Sequence, residues 1–168
     1  MHFRFEHEFD IEPKDYWEMF FSEPYNQDLY KQLKMKTREL VEQKDEGKTL
    51  RRVVRLTPDE EIPAVFKSVI KDTSYVERNV FHRDRSVMDV VVEPAMMKNK
   101  FDLKATYSVV PSGPGRSRRI FEGDVKISVM IIGGQIEKYM VDKMRSSYDI
   151  ATEVTRKWVA KRKASPSV

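Results

Sequence analysis

The chain has 168 residues, of which 35% are charged and 40% are hydrophobic, and its formal net charge is +4. This length suits one domain with a buried core and is short for two, and the composition excludes a disordered chain. Because there is no cysteine, disulfides, thiolate nucleophiles and cysteine-held metal sites are also excluded, which fits a reducing compartment.

Targeting signals are the next feature to consider. The first ten residues, MHFRFEHEFD, contain no apolar segment of the kind found in a secretory signal. No window of the sequence approaches the roughly 18 consecutive apolar residues that a membrane span needs. We therefore expect a cytoplasmic protein.

The N-terminal part predicts one strand and two short helices. Residues 2–9 alternate between apolar and polar side chains, as in a half-buried strand. Pro13 suits the first turn of a helix, and the apolar stripe of that helix comprises Tyr16, Trp17, Phe20 and Phe21. Residues 22–24 break this helix, and a second one is predicted over residues 26–34.

Strand patterns dominate the middle of the chain. Residues 36–45 and 48–57 predict a hairpin around Glu46-Gly47, and residues 58–72 predict a loop with one or two helical turns. Further strands are predicted over residues 73–82, 85–93, 101–110 and 116–131, with a turn at 111–115. The alternation in the last two strands places these residues inward: Phe101, Leu103, Ala105, Tyr107, Val109, Phe121, Val125, Ile127 and Val129. One apolar face and one polar face are typical of an antiparallel sheet.

The last predicted element is a long amphipathic helix after Gly133-Gly134, where glycine permits a sharp turn out of the sheet. At 1.5 Å per residue, about 25 residues span roughly 40 Å, which is enough to cross a sheet. The apolar stripe of this helix comprises Ile136, Met140, Met144, Ser147, Ala151, Val154 and Trp158. We expect one domain over residues 1–163 and a frayed tail over residues 164–168.

The order of these elements resembles the START-like superfamily, also called SRPBCC or helix-grip, which includes Bet v 1-like proteins and polyketide cyclases. The segments that carry the resemblance are FRFEHEFDIEPKDYWEMFFSEPYNQDLY, ELVEQKDEGKTLRRVVRLTP, EIPAVFKSVI and IIGGQIEKYMVDKM. Over about residues 3–160 the chain is similar to DUF2505, a bacterial family of unknown function. The resemblance implies an α+β fold, in which a curved seven-stranded antiparallel sheet surrounds the long helix and leaves a hydrophobic cavity.

This resemblance also implies a hydrophobic small-molecule ligand, because members of the superfamily commonly bind lipids or other apolar molecules in the cavity. Methionine gives an adaptable wall, and serine and alanine leave volume on the helix face, although each position is also compatible with ordinary core. The expected cavity residues are Arg52, Val54, Phe101, Leu103, Tyr107, Phe121, Val125, Met140, Met144, Ser147 and Ala151.

Two polar side chains belong to this inward set. Arg52 is in register with apolar neighbours, and a buried arginine needs a partner because an unpaired buried charge is costly. That partner is either an acidic group of a ligand or a neighbouring carboxylate, for which Glu77 and Asp89 are candidates. The hydroxyl of Tyr107 either points into the cavity or leaves at its rim.

Two apolar connections are candidates for a lid over the cavity. The first contains Phe66, Val69 and Ile70, and the second contains Met96 and Met97. Such loops either gate the entry of a ligand and make transient contact with a membrane surface, or plug the end of the helix.

Catalytic and metal-binding motifs are missing from the sequence. There is no GxSxG, GxxxxGK[ST], GxGxxG or HExxH motif. His2 and His7 lie on opposite faces of one predicted strand, and His82 is distant in sequence, so we expect no metal site and interpret His7 as a half-buried structural residue. We also expect no cofactor.

Three classes of function remain open at this stage. The first is a carrier or sensor of a hydrophobic small molecule, and the second is an enzyme similar to polyketide cyclases and dehydratases, which would need a general acid and base. The third is a protein- or nucleic-acid-binding module that uses the basic runs at residues 51–55, 116–119 and 161–163. Such runs are usually a solvated face, and the sequence leaves the oligomeric state open.

Overall fold

A computed structural model describes residues 1–97 and 99–165 of the chain. These residues form a seven-stranded sheet, three α-helices and a short 3-10 helix at Ala64–Phe66. In chain order the elements are β1 (His2–Phe9), α1 (Pro13–Phe21), α2 (Glu23–Gln32), β2 (Met35–Asp45), β3 (Thr49–Pro58), β4 (Tyr75–His82), β5 (Val87–Pro94), β6 (Phe101–Gly113), β7 (Arg116–Ile127) and α3 (Gly133–Ala164).

The strands lie in the order β1-β7-β6-β5-β4-β3-β2, and every neighbouring pair is antiparallel. From β2 to β7 each strand pairs with the next one along the chain, and the longest connection, over residues 59–74, contains the 3-10 helix. Only β1 pairs across the sequence, with β7, because α1 and α2 carry the chain from one edge of the sheet to the other. This architecture confirms the predicted helix-grip α+β fold.

The long helix does not lie evenly over the sheet. It packs mainly against β7, β1 and α2. At this end the aromatic rings of Phe121 and Tyr148 stack at 4.6 Å between centroids, and Phe5 lies beside them. Stacked and tilted aromatic pairs add to the burial of their surface. The inner face of the strands farther from β1 is therefore less covered by the helix.

Several element boundaries differ from the prediction. α2 begins at Glu23, because Pro24 occupies the first turn of this helix rather than breaking the chain. β6 continues through Pro111 to Gly113, where its register with β7 shifts, so the predicted turn at 111–115 is shorter. β7 ends at Ile127 instead of residue 131.

The glycines before the long helix serve a different purpose from the predicted one. α3 begins at Gly133 itself. A Cβ atom on Gly133 would lie 2.5 Å from the carbonyl oxygen of Ile127, whereas a Cβ on Gly134 would meet open space. The left-handed backbone conformation falls instead on Ile131, with φ 71°. Gly133 is therefore needed for the close approach of α3 to β7.

α3 reaches Ala164, the first residue of the predicted tail. The amide of Ser165 donates a 3.1 Å hydrogen bond to the carbonyl of Lys161. Residues 166–168 of the predicted frayed tail lie outside the described residues. In the part of the chain that the structure describes, no helix is both long and apolar enough to cross a membrane.

Candidate ligand-binding cavity

A cavity of about 590 Å³ lies between α3 and the inner face of the sheet, and it is partly open to solvent. This volume falls within the range of roughly 300–1,000 Å³ that is common for small-molecule sites. α2 closes one side of the cavity. Its apolar walls include Phe20, Leu29, Val54, Met88, Val90, Val92, Phe101, Leu103 and Phe121.

Ten of the eleven predicted cavity residues line this space. They are Arg52, Val54, Phe101, Leu103, Tyr107, Phe121, Met140, Met144, Ser147 and Ala151. Val125 does not line it. Its side chain points inward as predicted, but it is completely buried on β7 in the closed core, where α3 packs on that strand.

The predicted lid residues divide between the lining of the cavity and the core. Ile70, Met96 and Met97 line the cavity. Phe66 does not, because it is buried with its ring centroid 5.4 Å from that of Tyr139 on α3. Val69 is half-buried against the core cluster and is also not part of the lining. The first connection therefore packs partly into the core, and the second lines the cavity.

Arg52 lies in the cavity wall, and the Nε atom of its guanidinium is buried without a partner among the described residues. Only 5% of its surface is exposed. In the described part of the chain it makes no ion pair or hydrogen bond, and its nearest aromatic contact is the ring of Phe21, 5.3 Å away. Burial lowers the pKa of Arg52, but a guanidinium stays charged at neutral pH.

Glu77 and Asp89 were the two candidate partners for Arg52, and the prediction for Asp89 is wrong. Its side chain is exposed on the outer face of β5, where its Oδ2 atom lies 2.9 Å from Nε2 of His82. Glu77 does lie on the inner face, because Arg52 pairs with Asn79 across β3 and β4 and Glu77 is two residues from Asn79. It nevertheless makes no ion pair with Arg52 in the described residues.

Glu77 itself is a half-buried carboxyl group in the cavity wall. Burial raises the pKa of Glu77, while the hydrogen bond with Asn79 and the charges of Arg52 and Arg38 oppose the rise. The amide nitrogen of Asn79 lies 3.5 Å from Oε2 of Glu77, and the amide oxygen of Asn79 has no partner in the described residues. This corner of the cavity therefore combines the guanidinium of Arg52 as a donor, the amide oxygen of Asn79 as an acceptor and the titratable carboxyl of Glu77.

The hydroxyl of Tyr107 points into the protein and not to the rim. Tyr107 is buried, and its hydroxyl is hydrogen-bonded to the hydroxyl of Tyr16 on α1. Burial, and then the neighbouring Tyr16, raise the pKa of Tyr107 well above its usual value. The phenol of Tyr107 therefore stays protonated at neutral pH.

Arg119 is a second buried arginine in the cavity wall, with 1% of its surface exposed. Its Nη2 atom donates hydrogen bonds to Oγ1 of Thr152 at 2.6 Å and to the carbonyl of Tyr148 at 3.3 Å. The guanidinium also lies 5.1 Å from the ring centroid of Phe9 and 5.0 Å from that of Tyr148. These contacts hold Arg119 between the sheet and α3.

His7 is half-buried, as the sequence predicted, and completes the surroundings of Arg119. Its Nδ1 atom lies 3.1 Å from Nη2 of Arg119, which identifies Nδ1 as the acceptor. Burial, and then the charge of Arg119, lower the pKa of His7, against the opposing hydrogen bond with Asp149. The imidazole is therefore neutral at neutral pH.

The family model for DUF2505, a protein of unknown function, matches residues 4–159. The chain belongs to the DUF2505 family. No curated protein matches this DUF2505 chain in sequence.

Solved structures with the same fold support the helix-grip assignment of this DUF2505 protein. The ZhuI aromatase/cyclase from Streptomyces sp. R1128 has a TM-score of 0.70 at 11% identity, covering 100% of this chain and 99% of its own. Norcoclaurine synthase from Thalictrum flavum, in complex with dopamine and hydroxybenzaldehyde, has a TM-score of 0.62 at 14% identity, covering 92% and 85%. A START superfamily protein from Mycobacterium smegmatis has a TM-score of 0.56 at 13% identity, covering 95% and 97%. At these identities the likeness shows the fold alone.

Sequence reasoning missed Arg119 in this DUF2505 protein, because it was assigned to a solvated basic run. Its period-two spacing from Phe121 and Val125 was the signal that could have placed it inward. The interpretation does fit Arg116 and Arg118, which are exposed and pair with Glu8 at 2.8 Å and 3.0 Å.

The basic run on β3 divides in the same way. Arg51 pairs with Glu46 at 2.9 Å and Arg55 pairs with Glu39 at 2.5 Å, both on the outer face, while Arg52 points inward. The exposed arginines on these two strands thus have acidic partners.

Proposed function

We propose that this DUF2505 protein binds a hydrophobic small molecule, a lipid or lipid-like metabolite, in the cavity beneath α3 and acts as its carrier or sensor. The observation that carries this proposal is the cavity of about 590 Å³ in the middle of a fold that otherwise packs its aromatic side chains closely. Burial of an apolar guest contributes about 25 cal/mol for each Å² removed from water.

The face that α3 presents to the cavity supports this proposal. Met140 and Met144 line the space with flexible, polarizable side chains, which adapt to ligands of different shape. Ser147 and Ala151 follow at the next two turns and are too small to fill the volume in front of them. A helix selected only to close a core would be expected to carry larger side chains at these positions.

The experiment that tests this proposal is native mass spectrometry of the full chain purified without detergent, followed by extraction and identification of bound molecules. We expect a discrete mass addition that corresponds to a lipid-like compound. An unmodified mass, together with no uptake from an added mixture of lipids and apolar metabolites, would refute a carrier or sensor function.

A second candidate, an enzyme of the cyclase or dehydratase type, is favoured by one observation, the titratable carboxyl of Glu77 inside the cavity. A carboxyl whose pKa is raised by burial is suited to general acid–base chemistry. This function predicts that an extracted ligand is converted to a new product by the wild-type protein and not by Glu77→Gln. Recovery of the unchanged ligand from both proteins would favour the carrier.

We also propose that the mouth of the cavity makes transient contact with a membrane surface. In the turn before α3, Met130 is 87% exposed and Ile131 is 94% exposed. The amide of Ser128 in the same turn donates a 2.7 Å hydrogen bond to the carbonyl of Lys100, and the amide of Lys100 donates one to the carbonyl of Met97. The two exposed apolar residues therefore lie beside the connection that lines the mouth, where they can enter the interface of a bilayer.

Sedimentation with vesicles of phosphatidylcholine and phosphatidylglycerol tests the membrane contact. We expect the double substitution Met130→Ser and Ile131→Ser to reduce the bound fraction at least about fivefold, because it removes buried apolar surface at the interface. Val41→Ser on the exposed edge strand β2 is the control. Equal binding by the double variant, the control variant and the wild-type protein would refute the contact.

A further inference from the structure

The two arginines in the cavity wall differ in one respect that points to the ligand. Arg119 is held by Thr152, His7 and the carbonyl of Tyr148. Arg52 is almost equally buried, yet it has no hydrogen bond or ion pair among the residues that the structure describes. A buried polar group without a partner is unfavourable, and a buried charge more so. The Nε atom of each arginine lacks a partner, but Arg119 has three hydrogen-bond acceptors in the described residues and Arg52 has none. The charge of Glu77 acts on Arg52 without a direct contact.

Starting from the proposed function, we infer that the ligand is an amphipathic monocarboxylate whose carboxylate group binds Arg52 while its apolar body fills the cavity under α3. This inference rests on the proposed function and adds the chemical class of the ligand. The guanidinium presents a planar fork of N–H donors that matches a carboxylate in a bidentate geometry.

The position of Arg52 in the cavity supports a ligand with one acid group and an apolar chain. Arg52 and Val54 lie on the same face of β3, so the cation and an apolar wall are adjacent. The face of α3 that carries Met144 and Ser147 lines the same cavity. A ligand can thus place its apolar chain along α3 while its acid group lies at Arg52. Its negative charge is then paired and not buried among apolar side chains.

Glu77 and Asn79 restrict the type of anion. Glu77 is two residues from Asn79, the cross-strand partner of Arg52, so a dianion such as a phosphate monoester would meet a second acidic group. A single carboxylate meets less repulsion, and Glu77 in its protonated form donates a hydrogen bond to it. Burial favours that protonated form by raising the pKa of Glu77.

The experiment compares decanoate with decanol, which share one apolar chain and differ in the acid group. Isothermal titration of each probe into the ligand-free full chain is repeated with Arg52→Met and with Arg55→Met. Arg55 lies on the outer face of the same strand and pairs with Glu39, so it controls for the loss of an arginine from β3.

We expect wild-type protein and Arg55→Met to bind decanoate at least about tenfold more tightly than decanol. Arg52→Met is expected to lose that preference while keeping its affinity for decanol within about twofold. If wild-type protein binds decanol as tightly as decanoate, or if Arg52→Met keeps the preference, this inference is wrong while the proposed function stands. If neither probe binds to the wild-type protein, this inference is also wrong, and the extraction and uptake experiment above decides the proposed function separately.

Discussion

Arg119 on β7 and Thr152 on α3 are joined by a 2.6 Å hydrogen bond that fixes the long helix to the sheet. Thr152 in turn donates a 2.6 Å hydrogen bond to the carbonyl of Tyr148, which also accepts from Arg119. The contact thus closes a small network in which each group satisfies another. It makes Arg119 a structural residue on the cavity wall, and it leaves Arg52 as the arginine available to a ligand.

The first prediction concerns the stability contributed by Arg119. Arg119→Met removes the hydrogen bonds to Thr152 and to the carbonyl of Tyr148 and leaves His7 without its donor, so we expect a loss of about 2–4 kcal/mol in the free energy of unfolding. Arg118→Met, on the exposed face of the same strand, is expected to change it by no more than about 0.5 kcal/mol. Urea unfolding measures both. Equal effects of the two substitutions would contradict a structural role for Arg119.

Arg52 is predicted to behave in the opposite way in the ligand-free protein. Arg52→Met replaces a buried charge, which has no direct hydrogen-bond or ion-pair partner in the described residues, by an apolar side chain of similar length. We therefore expect unchanged stability or a gain of about 1 kcal/mol. Thermal unfolding of protein stripped of ligand measures this change. A loss of more than about 2 kcal/mol would mean that Arg52 supports the fold through contacts of its own.

Gly133 and Gly134 form a matched pair for testing the contact between α3 and β7. Gly133→Ala places a Cβ 2.5 Å from the carbonyl oxygen of Ile127, and we expect a loss of about 1–3 kcal/mol in unfolding free energy because backbone must move. Gly134→Ala meets open space, so stability should be unchanged or higher by up to about 1 kcal/mol. Urea unfolding distinguishes them, and a tolerated alanine at Gly133 would refute the close approach.

The stability of the protein is predicted to depend on pH through His7. Burial, and then the charge of Arg119, lower the pKa of His7 below its ordinary 6.5, with Asp149 opposing. The unfolded chain therefore binds a proton at a higher pH than the folded one, so the contribution of His7 is complete above about pH 6.5 and is lost as the pH falls toward the folded value.

This contribution is isolated by subtracting the unfolding free energies of His7→Gln from those of the wild-type protein between about pH 8 and pH 5. Carboxyl groups common to both proteins cancel in the difference, including Glu77, whose raised pKa acts in the opposite direction. We expect the unfolding free energy of the wild-type protein to fall relative to that of His7→Gln as the pH decreases. Two parallel curves would contradict the lowered pKa of His7.

The position of the ligand is tested by filling the cavity from the helix. Ser147 lines the cavity, whereas Ser146 is exposed on the adjacent face of α3. We expect Ser147→Trp to reduce the uptake of decanoate at least about tenfold while the circular dichroism spectrum is retained, because the indole occupies the space of the guest. Ser146→Trp should bind like the wild-type protein. Unchanged uptake by a folded Ser147→Trp would place the ligand elsewhere.

Much of the cavity wall could be predicted from the sequence, because each strand alternates its side chains between two faces. Phe101, Leu103 and Tyr107 on β6 and Arg52 and Val54 on β3 were assigned inward by this period alone, and they line the cavity. The spacing on α3 likewise predicted the helix face that contains Met140, Met144, Ser147 and Ala151. Local periodicity is sufficient for this, since it depends only on backbone geometry.

The pairing of side chains across the fold could not be predicted in the same way. Asp89 and Glu77 were equal candidates for Arg52 in the sequence, and only the register of β4 and β5 places Asp89 on the outer face beside His82. Arg119 was taken for a solvated residue because its neighbours are charged, whereas its partners come from α3, about thirty residues away along the chain.

The sequence by itself determined which elements form, in what order, and which face of each is apolar, because these follow from spacing within one segment. Only the tertiary structure decided that α3 lies toward β1 and β7 and leaves a cavity over the remaining strands. It also decided that Arg119 is hydrogen-bonded to α3 and β1, whereas Arg52 has no such partner in the described residues. The physical reason is that burial and hydrogen bonding are properties of pairs of segments, and the free energy of a buried charge depends on what the neighbouring element places beside it.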